Sequence, residues 1–345
     1  MARAVTDAAI LVQALRDPSG LPLDTDWAAL VTIARAEQLV GTLAHRLEGL
    51  PMPETVAALL SDARAAAENG RRAALWEAEM ARRSLAPLDC AVVLLKGTAF
   101  VAGGMLAGRG RSIGDLDILV PRAALDAVEA ALLAAGWEWV KPDAYDDDYY
   151  RTHMHELPPL IHRERDRMID VHHTILPLTA RITPDAAALI ADSIVLTNGL
   201  RILSPADMIV HAAAHLFADG DLAGGLRNLW DVHCLIDEVG VEGLDARAEH
   251  HGLRDQVRLA VRLSHRLFGS EIPPAWQRRR AGDRLVLWRL LARDGWGRPT
   301  RKMTRLAFYV RSHWLRMPPA LLARHLGVKA RRGQPSRSSV GSNSS

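Results

Sequence analysis

Two aspartates interrupt an otherwise largely apolar stretch of the chain, residues 113–120. Asp115 and Asp117 alternate there with Leu116 and Ile118, so in a β-strand both carboxylates project from one face. Two carboxylates held this close repel each other unless a cation lies between them. With no sulfur or imidazole in the immediate cluster, the oxygen ligands favour Mg²⁺ or Mn²⁺ over zinc. The motif therefore predicts a strand that carries a divalent-cation site.

The same Asp-x-Asp pattern has a simpler interpretation, because it is also common on the solvated side of edge strands and in turns. Placing two charges inside an apolar stretch is costly, however, unless a site uses them. The apolar context therefore favours the functional interpretation of Asp115 and Asp117.

A Lys-Gly-Thr turn lies upstream of the acidic pair and follows a short apolar run at 91–95. We expect a strand over that run and, after the turn, a helix whose N-terminus points at the site. Backbone N–H groups after Gly97 and the Thr98 hydroxyl would then donate to phosphate oxygens. Lys96 and Arg111 are the candidate positive charges for the same phosphates, with solvated surface as the alternative for both.

A third carboxylate, Asp170, lies in a later segment of strand-forming residues. We expect an acidic, Tyr-rich loop over 143–150, followed by strands over 153–157 and 168–172. A third acid on a neighbouring strand is what Asp115 and Asp117 would need to complete an ion site.

These residues suit nucleotidyl transfer, in which an acceptor oxygen attacks the α-phosphorus of a nucleoside triphosphate (NTP) and pyrophosphate leaves. Two divalent ions can clamp the attacking and the leaving oxygens. We expect Asp115 and Asp117 to hold both ions, and Asp170 to complete the ion beside the acceptor while helping to deprotonate it.

The chain resembles the nucleotidyltransferase-like superfamily of the DNA polymerase β type, and more closely a poorly characterised bacterial group of nucleotidyltransferase family proteins. The shared patterns are L-K-G, R-x-x-x-D-x-D and D-x-H, here Leu95-Lys96-Gly97, 111–117 and Asp170-Val171-His172. The similarity spans roughly residues 20 to 240. It implies three carboxylates, Mg²⁺ and an NTP. Gly97-Thr98 departs from the usual Gly-Gly or Gly-Ser, but Thr can replace Ser as a donor.

The expected fold class is α+β, with a small mixed β-sheet as the nucleotidyltransferase core. We expect an N-terminal helical segment over 1–87, the α/β core over 88–200 and a C-terminal helical domain over 201–330. Residues 331–345 lack a periodic apolar face, which predicts a disordered tail.

The cysteine content and the hydropathy of the chain bear on its compartment. Only two cysteines occur, Cys90 and Cys234, which encode neither a disulfide framework nor a thiolate zinc site. No uninterrupted apolar run reaches the roughly 20 residues of a membrane span, and no signal core is evident. The sequence therefore predicts a cytoplasmic protein without a transmembrane segment.

Positive charge is concentrated near the C-terminus of the chain. Residues 276–337 contain 17 Lys or Arg and two acids, whereas the rest of the chain carries 26 basic and 38 acidic residues. This polarity predicts an anionic partner for the C-terminal region: nucleic acid, an acidic peptide or an anionic membrane surface.

Histidines leave an alternative open. His211 and His215 are spaced one helical turn apart and could ligate zinc, although core or site-lining positions are the favoured interpretation. His172 and His215 are candidates to line the site. Asp231 could pair with Arg227 at i and i+4 or bind the acceptor, and the sequence does not choose between them.

The leading hypothesis is a metal-dependent nucleotidyltransferase that transfers a nucleoside monophosphate, AMP from ATP in the first instance, to a hydroxyl-bearing acceptor. The acceptor could be a small molecule, a peptide or a protein, because such families serve many acceptors and fold does not settle substrate. The alternative from another class is a non-catalytic, antitoxin-like or regulatory binding module with the same fold.

Overall fold

The structure is a computed structural model that describes residues 7–141, 143–316 and 318. Its first helices are α1 (Ala9–Arg16), α2 (Trp27–Ala36), α3 (Val40–Arg46), α4 (Glu54–Leu85), α5 (Lys96–Ala102), α6 (Leu125–Ala134) and α7 (Ala144–His153). The later helices are α8 (Ala186–Ala191), α9 (Pro205–Ala214), α10 (Gly225–Val239), α11 (Leu244–His250), α12 (Arg254–Phe268), α13 (Asp283–Leu290) and α14 (Lys302–Arg316). The strands are β1 (Val93–Leu94), β2 (Asp115–Leu119), β3 (Trp137–Trp139), β4 (Leu160–His162), β5 (Met168–His172), β6 (Ile194–Val195) and β7 (Arg201–Ile202).

The strands form one mixed sheet in the order β3-β4-β5-β2-β1-β7-β6. β2 lies at its centre, parallel to β5 on one side and antiparallel to β1 on the other. The last strand, β7, pairs in parallel with β1 and ends at Ile202, just past the expected core limit at residue 200. A mixed sheet with helical segments before and after it confirms the predicted α+β class.

Helix α4 supports the central strand from one face of the sheet. Leu116 and Ile118 of β2 are buried, and α4 packs against β2, α5 and α6. Because side chains alternate along a strand, Asp115 and Asp117 project from the opposite face. Several buried positions of α4 follow helical spacing, and three of them are alanines: Ala74, Ala78, Ala81 and Leu85.

The segment before β5 differs from the prediction. The expected loop over 143–150 is helix α7, and the expected strand over 153–157 contributes only one isolated bridge, between Glu156 and His172. Arg151 explains the helix, because its guanidinium bonds Asp147 one turn earlier at 2.9 Å and Glu129 of α6 at 2.8 Å. These ion pairs stabilise a helix that the Tyr- and Asp-rich composition does not predict.

The N-terminal helices pack on the loop that leads into β2. Gly41 of α3 and Gly110 lie so close that a Cβ on Gly110 would be 2.3 Å from the Gly41 carbonyl oxygen. Gly110 also has a φ of +67°, which favours glycine. This contact positions the loop that carries Arg111.

We expect Gly110→Ala to lower the free energy of unfolding by about 3 kcal/mol or more, because it adds a backbone clash to the strain of a positive φ. Gly49→Ala is the matched control, since Gly49 has a φ of +77° with nothing within 4 Å of an added Cβ. It should cost only about 1 kcal/mol. Urea denaturation of both variants measures the difference, and equal losses would contradict the packing role of Gly110.

The C-terminal helices form a bundle around α10, which packs against α9 and α12. Helix α9 begins at Pro205 with the Ser204 hydroxyl accepting from the Asp207 N–H at 3.3 Å, as the Ser-Pro sequence indicates. A π-helical turn over His215–Asp219 continues it. Glu37 joins the N-terminal segment to this bundle by accepting from the Leu226 N–H at 3.2 Å.

None of the described helices is both long and apolar enough to cross a bilayer. The expected disordered tail over 331–345, and the end of the expected helical domain at 330, lie outside the described residues.

Candidate functional site

The three aspartates converge on one face of the sheet. Parallel pairing of β2 with β5 sets Asp117 directly opposite Asp170, and Asp115 lies two residues earlier on the same face. One carboxylate oxygen from each of the three lies within 4.8 Å of the others. The arrangement is compact enough for all three to ligate shared cations.

The carboxylates of Asp115 and Asp170 hold protons tightly. Burial and then the charge of Asp117 raise the pKa of Asp170 to about 7. Burial and the same neighbouring charge also raise the pKa of Asp115. Burial and the repulsion between carboxylates therefore outweigh the nearby positive charges, and carboxylate oxygens are the ligands that Mg²⁺ and Mn²⁺ prefer. The residues therefore fit a hard divalent cation.

Asp117 behaves differently because two donors meet its Oδ1 atom. Lys96 Nζ lies 2.5 Å from Oδ1 and His172 Nε2 lies 2.9 Å from it. Burial opposes the charged form of Asp117, but Lys96 and His172 outweigh burial and hold its pKa well below the ordinary value. Both contacts use Oδ1, so Oδ2 is the oxygen through which Asp117 could ligate an ion.

Lys96 occupies a strained backbone position at the start of α5. Its φ is +49°, a conformation that side chains other than glycine rarely adopt and that clusters at functional sites. The sequence suggested Lys96 as a phosphate contact, whereas here its ammonium group pairs with Asp117. Lys96 therefore supplies positive charge to the acidic cluster itself.

Gly97 makes room for Arg111. A Cβ on Gly97 would lie 2.6 Å from Arg111 Nε, so the side chain of Arg111 passes directly over Gly97. The Arg111 guanidinium stacks over the Phe100 ring at 5.5 Å and forms an ion pair with Asp231 of α10. The space beside Gly97 is thus filled by a side chain of the same protein.

Thr98 is nearly inaccessible, with 1% of its surface exposed. Its hydroxyl has no hydrogen-bond partner among the described residues. The predicted phosphate donor is therefore buried in the first turn of α5, with an unused hydroxyl.

Asp231 binds two arginines. Arg227 Nη2 donates to Asp231 Oδ1 at 2.5 Å, one of the two options that the sequence left open, and Arg111 contacts the other carboxylate oxygen. Residues 111 and 231 are far apart in sequence, and no local pattern indicates their contact. Asp231 thereby fixes two guanidinium groups beside the acidic face of β2.

A cavity of about 420 Å³ lies between the α5 and β2 side of the site and helices α9 and α10. Its polar lining comprises Gln38, Lys96, Arg111, Asp115, His211, His215, Arg227, Asn228 and Asp231. Of the predicted site residues, Lys96, Arg111 and Asp115 line this cavity. Three cationic side chains beside a carboxylate cluster suit a ligand that carries several negative charges.

Histidines approach the carboxylates from two directions. His211 lines the cavity, and burial followed by the charge of Lys96 lowers its pKa well below the ordinary value, so its ring is neutral. Among the described residues, neither His211 nor His215 belongs to a group of three metal-ligating side chains, which disfavours the zinc alternative. His172 contacts Asp117 directly, so an imidazole does belong to the immediate cluster, contrary to the sequence-based expectation.

The sequence analysis did not predict two residues that lie at the site. His155 and Glu156 lie against His172, with the two imidazole rings 5.2 Å apart and Glu156 Oε2 3.4 Å from His172 Nδ1. The expected strand at 153–157 would have given these residues a regular alternation. The observed irregular segment instead turns both toward His172.

Comparison with known proteins identifies one matching family model. The model, described as an uncharacterised nucleotidyltransferase, matches residues 24–269. The matched range includes the three aspartates and all the residues that line the cavity. No curated protein matches the sequence.

Two solved structures of ANT(2'')-Ia resemble the chain in part. One is a solution structure of this antibiotic-resistance factor, with 12% identity and a TM-score of 0.35, covering 50% of this chain and 89% of the other. The second is a crystal structure of ANT(2'')-Ia in complex with adenylyl-2''-tobramycin. It has 12% identity and a TM-score of 0.35, covering 52% of this chain and 94% of the other.

Proposed function

The chain belongs to the uncharacterised nucleotidyltransferase family and is therefore a transferase, and from this premise we propose that it moves a nucleoside monophosphate from an NTP to a hydroxyl-bearing acceptor. ATP, which would donate AMP, is the first donor to test. The observation that carries the proposal is the convergence of Asp115, Asp117 and Asp170 within 4.8 Å beside a cation-lined cavity.

Asp115, Asp117 and Asp170 would hold the divalent ions, Mg²⁺ or Mn²⁺. When bound, such ions supply Lewis-acid stabilisation of the charge on the phosphate and pyrophosphate oxygens. The raised pKa values of Asp115 and Asp170 support this assignment, because a cation would offset the burial and the repulsion that raise them.

The cavity side chains would bind and orient the triphosphate. Arg111 and Arg227 present guanidinium groups that Asp231 holds in fixed positions. Guanidinium groups match phosphate oxygens in geometry and charge, and prior fixation reduces the entropy lost on binding. Lys96 would balance the charge of Asp117 while the triphosphate approaches.

Asp170 is the candidate proton acceptor for the attacking hydroxyl. Its pKa is about 7 without a cation, and a bound cation would lower that pKa, so at neutral pH Asp170 in the loaded site would be the carboxylate that a general base requires. The carboxylate would take the hydroxyl proton as the acceptor oxygen attacks the α-phosphorus. Pyrophosphate would then leave on the side of Arg111 and Arg227.

Calorimetric titration tests the nucleotide half of this proposal without knowledge of the acceptor. Each of the four common NTPs is titrated into the full chain with and without Mg²⁺. We expect at least one NTP to bind with micromolar affinity only when Mg²⁺ is present, and Asp115→Asn to abolish that dependence. Equal binding by wild type and Asp115→Asn would favour the binding-module alternative.

Gly97→Ala should raise the KM for the NTP about 10-fold or more, because the new methyl group would displace Arg111 from Asp231. Gly70→Ala in α4 is the control, since nothing lies within 4 Å of a Cβ at that position. The control should leave the KM unchanged and stabilise the helix by up to about 1 kcal/mol. Steady-state kinetics checks both, and an unchanged KM in Gly97→Ala would contradict the role of Arg111.

We further propose an anionic partner for the basic C-terminal region. Several of its arginines form ion pairs with other residues of the chain, for example Arg293, whose guanidinium lies 2.7 Å from the Glu37 carboxylate. Arg278 and Arg279, however, have no partner among the described residues, and they line a second cavity of about 420 Å³. The other side chains that line it are Arg258, Arg262, Ala275, Trp276, Arg280 and Ala281.

The free cysteines, Cys90 and Cys234, agree with a cytoplasmic location, which stays a proposal.

A further inference from the structure

We propose that His155, Glu156 and His172 form a second metal site, separate from the three-aspartate cluster, that takes a divalent transition-metal ion such as Zn²⁺. One ligand atom from each of the three lies within 4.8 Å of the others. The proposed nucleotidyl transfer does not use the ligand atoms of His155, Glu156 and His172, so the two proposals can be tested independently.

His172 carries the argument, because it is 2% exposed and lies between two carboxylates. Its Nε2 atom is 2.9 Å from Asp117 Oδ1, and its Nδ1 atom is 3.4 Å from Glu156 Oε2. The two ring nitrogens therefore face different carboxylates, and each nitrogen can serve as a hydrogen-bond donor or as a metal ligand. A cation between His172 Nδ1 and Glu156 Oε2 would have both atoms as ligands.

A cation fits better between His172 and Glu156 than between His172 and Asp117. The 2.9 Å contact with Asp117 is a normal hydrogen-bond length, whereas the 3.4 Å contact with Glu156 is long. His172 can therefore donate from Nε2 to Asp117 and ligate a metal through Nδ1. A metal-ligating histidine commonly donates its other N–H to a carboxylate, which fixes the ring.

His155 supplies the third ligand. Its Nε2 atom is 3.7 Å from the same Glu156 Oε2 atom, so three potential ligands surround one small region. The centroids of the His155 and His172 rings are 5.2 Å apart, so the two imidazoles can approach one ion from neighbouring positions. Two imidazoles and one carboxylate favour Zn²⁺ over Mg²⁺.

Metal analysis of the full chain tests the site. The protein is loaded with Zn²⁺, dialysed and measured by atomic emission, together with two histidine variants. We expect about one bound zinc in wild type and a loss of affinity above about 100-fold in His155→Ala, since even outer-shell changes cost 10- to 100-fold. His45→Ala is the matched control at an exposed histidine and should keep the zinc.

Asp115→Asn separates this site from the nucleotidyl-transfer site. It should lose Mg²⁺-dependent NTP binding but keep the zinc, while His155→Ala should show the opposite pattern. Retention of zinc by His155→Ala, or its loss in Asp115→Asn, would overturn the proposal. An imidazolium signal for His172 in the nitrogen NMR spectrum of zinc-treated wild type would overturn it as well, because a proton would then fill the place of the metal.

Discussion

Asp117→Asn should reduce nucleotidyl transfer by at least about 1,000-fold, because it removes the central carboxylate of a metal-dependent displacement. Asp117 is also the ion-pair partner of a partly buried ammonium group, Lys96. Loss of that partner removes a charged hydrogen bond, which we expect to cost about 1 to 3 kcal/mol of folding free energy. Transfer assays and urea denaturation measure the two losses separately.

A second variant separates folding from chemistry. In Lys96→Met/Asp117→Asn both charges are gone, so we expect most of the folding free energy to return while transfer stays at the level of Asp117→Asn. Asp62→Asn, at an exposed position of α4, is the control and should change neither quantity. Recovery of transfer in the double variant would show that Asp117 acts only by pairing with Lys96, contrary to its proposed role as a metal ligand.

Asp170→Asn should abolish detectable transfer and yet stabilise the metal-free protein at pH 8. The pKa of Asp170 is about 7 in the folded chain against an ordinary value of 3.8, so folding favours its protonated form. Asn mimics that neutral form at every pH. We expect a gain on the order of 2 to 4 kcal/mol at pH 8, from about 1.4 kcal/mol per unit of pKa shift.

The pH dependence follows from the same shift. Below about pH 4 Asp170 is protonated in both the folded and the unfolded state, and it contributes no difference. As the pH rises from about 4 to 7, the unfolded chain releases the proton more readily, so the metal-free wild type loses stability. Above about pH 7 the loss is complete. Urea denaturation from pH 4 to 8, in the presence of a chelator, should show this fall in wild type and a flatter profile in Asp170→Asn.

Mg²⁺ should reverse the difference. A bound cation stabilises the ionised form of Asp170, so we expect saturating Mg²⁺ to stabilise wild type at pH 8 and to have little effect on Asp170→Asn. If Asp170→Asn destabilises the metal-free protein at pH 8, Asp170 is a structural group and not a ligand that folding holds in an unfavourable state.

The sequence could anticipate the acidic cluster because strand alternation is a local rule. Asp115 and Asp117 are two residues apart, and the strand-forming pattern around Asp170 requires only that β5 pair with β2 in register. The α+β class followed from the predicted helices and strands together with the family resemblance, which implied a small mixed sheet. A short stretch of sequence contains the information that such rules need.

Contacts between distant elements could not be anticipated in the same way. The ion pair between Arg111 and Asp231 joins residues 120 positions apart, and it exists because α10 packs against the core. His155 and Glu156 lie beside His172 because the segment after α7 pairs with the end of β5 through one isolated bridge, between Glu156 and His172. Both features depend on tertiary packing, about which hydrophobic periodicity carries little information.

The Thr98 hydroxyl stays a predicted phosphate donor. Its side chain is buried, and its hydroxyl has no partner among the described residues. A motif indicates which groups are available, whereas the backbone geometry at Lys96 and Gly97 decides which of them reach the cavity.

Transfer of label from NTPs labelled separately at the α and γ phosphorus tests the central claim most directly. The full chain is incubated with each labelled NTP, Mg²⁺ and a cell extract as the source of acceptor, in parallel with Asp117→Asn. We predict that α-label enters an acceptor with release of pyrophosphate, that γ-label does not, and that Asp117→Asn transfers neither. Transfer of γ-label, or equal transfer of α-label by wild type and Asp117→Asn, would contradict the assignment of nucleotidyl transfer to the three aspartates.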